Sequence, residues 1–149
     1  DGRHAPTGWL VRFDPVRVQL ADDRIRVQGT LRATETDSAT LEVVADHTFV
    51  YALRPTGAGE QAKASLFTVR RELHFSFDRD DLRAHQVRLV VSYVQAGPLS
   101  CAEDSVGYLR PLLAGQTAAA GGPAGTDPFA TGSATALCGS LAAGAQPKV

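Results

Sequence analysis

Arg24-Ile25-Arg26-Val27-Gln28-Gly29-Thr30-Leu31-Arg32-Ala33-Thr34 alternates without a break, Ile25, Val27, Gly29, Leu31 and Ala33 on one parity and Arg24, Arg26, Gln28, Thr30 and Arg32 on the other. Successive side chains of an extended chain point to opposite faces. This period of two therefore predicts a strand with one buried face and one wet, basic face.

The same pattern extends in both directions. Upstream, Trp9, Val11 and Phe13 alternate, Asp14-Pro15 interrupts, and Val16, Val18 and Leu20 resume before the turn Ala21-Asp22-Asp23. Proline donates no ladder hydrogen bond, so Pro15 reads as an edge-strand kink. Downstream, Leu41 and Val43 are followed by His47, Phe49, Tyr51 and Leu53 on one parity up to Arg54-Pro55, as two strands or one long bent strand. Phe67, Val69, Leu73, Phe75 and Phe77 form the next series, and Arg71 within it suggests a bulge or tight turn near Arg70-Arg71. Asp78 to His85 can form a single helical turn with Asp80 as its N-cap. Val87, Leu89, Val91 and Tyr93 then alternate until Gly97-Pro98.

About seven short strands separated by polar turns, with no amphipathic helix of ordinary length, predict an all-β fold. The expected form is an antiparallel, immunoglobulin-like β-sandwich. Its body spans residues 8–97, after an N-terminal arm at 1–7. Phe13, Phe49, Tyr51, Phe67, Phe75, Phe77, Tyr93 and Trp9 fit core positions.

From Pro98 onward Ala, Gly, Thr, Ser and Pro dominate. This C-terminal extension, 98–149, contains both cysteines of the chain, Cys101 and Cys138. They are expected to form a disulfide that straps down a loose segment, worth about 3–4 kcal/mol on a chain-entropy basis. Short helices are expected over Asp104 to Leu113 and from Thr126-Asp127-Pro128 toward Leu137. A lone bridge of this kind persists mainly outside the cytosol, which points to an extracytoplasmic location.

The 149 residues carry a formal charge of −1, with 15 Lys and Arg against 16 Asp and Glu. That balance offers no field for a run of phosphates, so nucleic acid is not the expected partner. It also offers no polybasic membrane patch. The sequence contains no apolar run of transmembrane length. There is no Met, even at position 1, so the expectation is a processed chain or a piece of a longer one, with any anchor outside it.

Chemistry-bearing residues are scattered. His4, His47, His74 and His85 match no close metal-ligand spacing, although Asp46-His47 could meet His74 across neighbouring strands. Asp78, Asp80 and Asp81 crowd one connector, but lack the glycine turn and distant glutamate of a calcium loop; a helix-capping acidic turn is the simpler reading. Ser100, Ser105, Ser133 and Ser140 stand in no nucleophile elbow, and no glycine-rich phosphate cradle follows a strand. No catalytic residue, metal ligand or cofactor is assigned. Arg24, Arg26, Arg32, Arg70, Arg71 and Arg88 could converge on one side of the sandwich, forming a surface for an acidic protein, a cell-envelope polyanion or a lipid head group.

The composition is Arg-rich, with Lys only at Lys63 and Lys148 and Asn absent. Together with the strand body and paired cysteines, it resembles small extracytoplasmic domains of actinobacterial envelope proteins. The expected role is a non-enzymatic binding or interaction domain of a secreted or membrane-anchored protein, with a protein or cell-envelope partner. One alternative is a protease inhibitor presenting the Cys101–Cys138 loop. The other is a small hydrolase or metal-binding enzyme with a site spread over distant loops, which His47 and His74 within ligand distance of each other would favour.

Overall fold

The computed structural model describes residues 11–100, 108–117 and 136–138. Its elements in chain order are β1 (Val18–Leu20), β2 (Arg26–Glu35), β3 (Thr40–Pro55), β4 (Ser65–Asp78), the short helix α1 (Arg79–Arg83), β5 (Arg88–Leu99) and β6 (Ala136–Cys138). The fold is mostly antiparallel β, as the alternation predicts.

All six strands join one sheet in the order β1-β3-β4-β5-β6, with β2 also on β3. β1 and β2 share one side of β3, β1 along Leu53–Pro55 and β2 along Leu41–Val50. From β2 to β5 neighbours in sequence are neighbours in space, so this antiparallel part is a meander, while β1 pairs with β3 beyond the end of β2. The exception is β6, which lies parallel to β5. Among the described residues there are six strands in a single sheet, where about seven in two packed sheets were expected.

Several local expectations are corrected. β3 is one strand of 16 residues. β4 runs straight through Arg70-Arg71; the irregularity lies instead between His74 and Phe75, where β5 supplies an extra residue, Val90. That bulge moves Leu89 and Val91 to opposite faces, although they share a parity. The helix N-cap is Asp78 rather than Asp80: its carboxylate accepts from the Asp81 amide at 2.7 Å, and Asp81 reciprocates in a capping box. β5 continues past a cis Gly97–Pro98 bond to Leu99. In the extension, Leu109 and Pro111 form isolated β-bridges to Phe13 and Leu99, and Ala136–Cys138 is strand, where short helices were expected. Trp9 and Cys101 lie outside the described residues, and of Cys138 the backbone is described.

Cross-strand register sorts the sheet into two faces. One carries Val27, Leu31, Val43, Phe49, Tyr51, Leu53, Phe67, Val69, Leu73, Phe75, Leu89 and Ala96; the other carries Arg26, Arg32, Asp46, Thr48, Thr68, Arg70, Glu72 and His74. Burial along these faces is uneven. The core is Val18, Leu53, Phe67, Val69, Ala96, Leu99 and Leu113, with Val11, Phe13, Tyr51, Val94 and Leu109 packed against it. Phe13 anchors it, edge-on to Tyr51 at 5.4 Å and to Phe67 at 5.5 Å between ring centroids. All of these lie at one end of the sheet, where the segments 11–18 and 108–113 supply a second layer. Toward the other end β3 and β4 are half-buried, and every residue of β2 is exposed. The buried face expected for β2 is absent, because among the described residues nothing is layered over it.

Candidate interaction surface

The arginines proposed as a surface divide between the two faces and among several carboxylates. Arg26, Arg32 and Arg70 share the polar face, as does Arg88, which pairs in register with Ser76; Arg71 lies on the apolar face opposite His47. Arg70 is the most enclosed. Its guanidinium donates twice to Asp46, at 2.8 and 2.6 Å, with 11% of its side chain exposed. This forked geometry holds the Asp46 carboxyl below the usual carboxylate range, the Arg70 hydrogen bond outweighing the opposing effect of burial.

The polar ladder continues along β4. Glu72 lies 3.9 Å from Arg70 and 2.7 Å from His74 Nε2, and His74 Nδ1 is 3.9 Å from Glu42. At the sheet's far end Arg88 reaches Asp81 at 3.3 Å and Asp78 at 3.8 Å. Arg24, just before β2, forks onto Asp22, whose carboxyl is lowered to about 2 chiefly by that side-chain hydrogen bond. Arg24, Arg70 and Arg88 are therefore neutralised within the molecule. The two that project from β2, Arg26 and Arg32, are exposed.

Arg71 has a different character. Half-buried in the apolar face beside Tyr51, its guanidinium is pulled down from its ordinary pKa by burial, and the Tyr51 phenol is pushed up for the same reason. The six arginines thus do not form one polyanion-binding face. A polar ladder of alternating charge takes its place, with acids and bases interleaved.

The histidine pair is separated. His47 pairs with Arg71 and His74 with Val44, positions of opposite parity, so the two imidazoles lie on opposite faces of the sheet. This removes the geometry a metal enzyme built on them would need. Among the described residues no group of three or more His, Cys, Asp or Glu could hold a metal ion. Asp78, Asp80 and Asp81 are engaged in capping α1 and in pairing with Arg88 and Arg83, the latter at 3.1 Å from Asp80. Ser100 follows β5, its amide donating to the Arg110 carbonyl. Ser105, Ser133, Ser140 and His4 lie outside the described residues.

The feature that period alone did not reveal is the free edge of β2. Its ten residues pair with β3 in unbroken register, and among the described residues no strand pairs with its other side. Ile25, Val27 and Leu31 along this edge are 46%, 58% and 69% exposed. An edge of this length carries a row of unpaired amides and carbonyls, the template onto which another strand is added.

No family model matches the chain, nor does any curated protein or solved structure. Among the described residues no helix is long and apolar enough to cross a membrane.

Proposed function

We propose that this chain is a non-enzymatic interaction domain of an extracytoplasmic protein, secreted or membrane-anchored in a bacterial envelope, and that it binds a protein partner by strand addition along β2. The observation that carries the reading is the ten-residue β2 edge, exposed throughout and uninterrupted by proline or bulge. Natural sheets blunt such edges, and one left open over this length is suited to main-chain pairing. A protein partner is favoured over a polyanion because Arg24, Arg70 and Arg88 already face carboxylates. Extracytoplasmic placement rests on the Cys101 and Cys138 pair, whose strap is part of the same proposal. An immunoglobulin-like closure would put a second sheet over the apolar face; β2's outer edge serves the proposed role with or without it.

The test is affinity capture from envelope and culture-supernatant fractions, comparing the native chain with Leu31→Glu. Proteins retained by the native chain and lost by the variant support the reading. Identical sets, or none, overturn it. Thiol titration of the unfolded, unreduced chain tests the strap: free thiols on both cysteines exclude it.

A further inference from the structure

Resting on that reading, we propose that the strand β2 receives is an acidic one: an antiparallel strand of a partner protein, with carboxylates opposite Arg26 and Arg32 and apolar residues opposite Val27, Gly29 and Leu31.

The turn that closes the β2–β3 hairpin fixes which groups the edge offers. The Thr36 amide donates to the Thr40 carbonyl at 3.1 Å, so these two residues form a hydrogen-bonded pair. Such pairs alternate along an antiparallel ladder, and the register is unbroken from Arg26 to Glu35. Arg26, Gln28, Thr30, Arg32 and Thr34 therefore direct their amides and carbonyls to β3. Val27, Gly29, Leu31 and Ala33 turn theirs outward, to the side where among the described residues no strand pairs. An added strand bonds to these four and leaves the arginines at the non-hydrogen-bonded positions between them, where facing side chains come closest.

Charge chooses among the strands that could sit there. Arg26 and Arg32 are exposed on the polar face, with the uncharged Gln28 and Thr30 between them. Arg26 lies in the field of Asp22 and Arg32 in that of Asp46, but both carboxylates are already forked onto other arginines, Asp22 onto Arg24 and Asp46 onto Arg70. Nor can β2 of a second copy neutralise them. With the apolar faces kept on one side, an antiparallel copy sets even-numbered residues opposite even-numbered ones, and the stretch 22–37 has no even-numbered acid besides Asp22. A basic strand is repelled, and a neutral one leaves both guanidinium groups facing uncharged side chains. Carboxylates six residues apart on one face of a partner strand match both.

The other face completes the pattern. Val27 and Leu31 stand exposed there, so alternate residues of the partner that are apolar continue the apolar face across the seam.

The probe is a labelled synthetic peptide, Val-Glu-Val-Thr-Val-Thr-Val-Glu-Val, whose glutamates face Arg32 and Arg26 when it lies antiparallel to β2 from Ala33 to Ile25. Fluorescence anisotropy with the full chain is expected to show saturable binding. The same peptide with glutamine in place of both glutamates is expected to bind more weakly, by between about twofold and about thirtyfold for two cross-strand ion pairs. In the double variant Arg26→Gln, Arg32→Gln the two peptides are expected to bind alike, and thermal unfolding checks that the variant keeps its fold. A merely structural role for the arginines would leave the difference between the peptides in place. Equal affinities for the native chain, a difference that survives in the double variant, or no binding of either peptide overturns the proposal. Envelope proteins captured in a Leu31-dependent way but indifferent to the double variant overturn the acidic strand and leave the interaction reading intact. Capture of nothing, with neither peptide bound, overturns both.

Discussion

The imidazole of His47 occupies the space a side chain at Gly29 would need: a Cβ there would lie 2.6 Å from the ring's Cδ2 and would also meet the Asp46 carbonyl oxygen. The two residues are partners in the β2–β3 register. The ring could turn aside; the carbonyl belongs to the ladder and cannot do so cheaply. Gly29→Ala is therefore expected to destabilise by about 1–3 kcal/mol, against less than about 0.5 kcal/mol for exposed Thr30→Ala beside it. Chemical denaturation of the two variants makes the comparison, and equal effects would refute the close-contact explanation.

Asp46 ties β3 to β4 through Arg70, and its carboxyl is held below the usual range. A carboxyl lowered in the folded state favours folding in its ionised form. The stabilisation is present at neutral pH, begins to fall below the ordinary carboxylate value near about pH 4, and is lost as pH drops through the folded value. Asp46→Asn is expected to cost about 1–2 kcal/mol at pH 7, with Glu72 still 3.9 Å from Arg70. It also flattens the acid limb of the melting temperature measured against pH. An unchanged limb would assign that slope to other carboxylates.

Thr68 is fully buried, and among the described residues its hydroxyl has no hydrogen-bond partner. A buried hydroxyl left unsatisfied costs free energy that a methyl group of similar size does not. Thr68→Val is expected to raise stability by about 1 kcal/mol, read as a shift in denaturation midpoint at constant slope. A loss of stability would mean that the hydroxyl is satisfied in solution.

Phe67, 1% exposed, packs under Phe13 in the well-buried cluster of the described residues. Its truncation to Ala is expected to cost about 3–5 kcal/mol. Phe75→Ala, on the same face of β4 but only half-buried, costs much less. Similar losses at the two positions would show that the far end of the sheet is as tightly packed as the near end.

The strands were legible from period alone because alternation reports backbone geometry directly. Burial was not legible, because alternation says that two faces differ without saying that either is covered. Thus Val27 and Leu31 read as core and stand exposed. The Val90 bulge is not legible in the sequence, since Val87, Leu89 and Val91 keep apolar parity on both sides of it, and a bulge among valines leaves no chemical mark. Asp80 was a reasonable cap by composition. Asp78 takes that place because it ends β4 in extended backbone, φ −96° and ψ 178°, which a cap requires. The arginines looked convergent in sequence. Register divides them, and their carboxylate partners sit on neighbouring strands, where no sequence spacing reveals them.

The uneven core gives the molecule a direction in which it comes apart. Ladder hydrogen bonds around Leu53, Phe67 and Ala96 are sealed on the apolar side by Phe13, Leu109 and Leu113, while those from Thr40 to Val44 and from Phe75 to Asp78 are sheltered only by half-exposed side chains. On this account the sheet opens from its far end toward the Phe13 cluster, and amide hydrogen exchange along β3 is expected to run from slow at Leu53 to fast at Thr40 within a single strand.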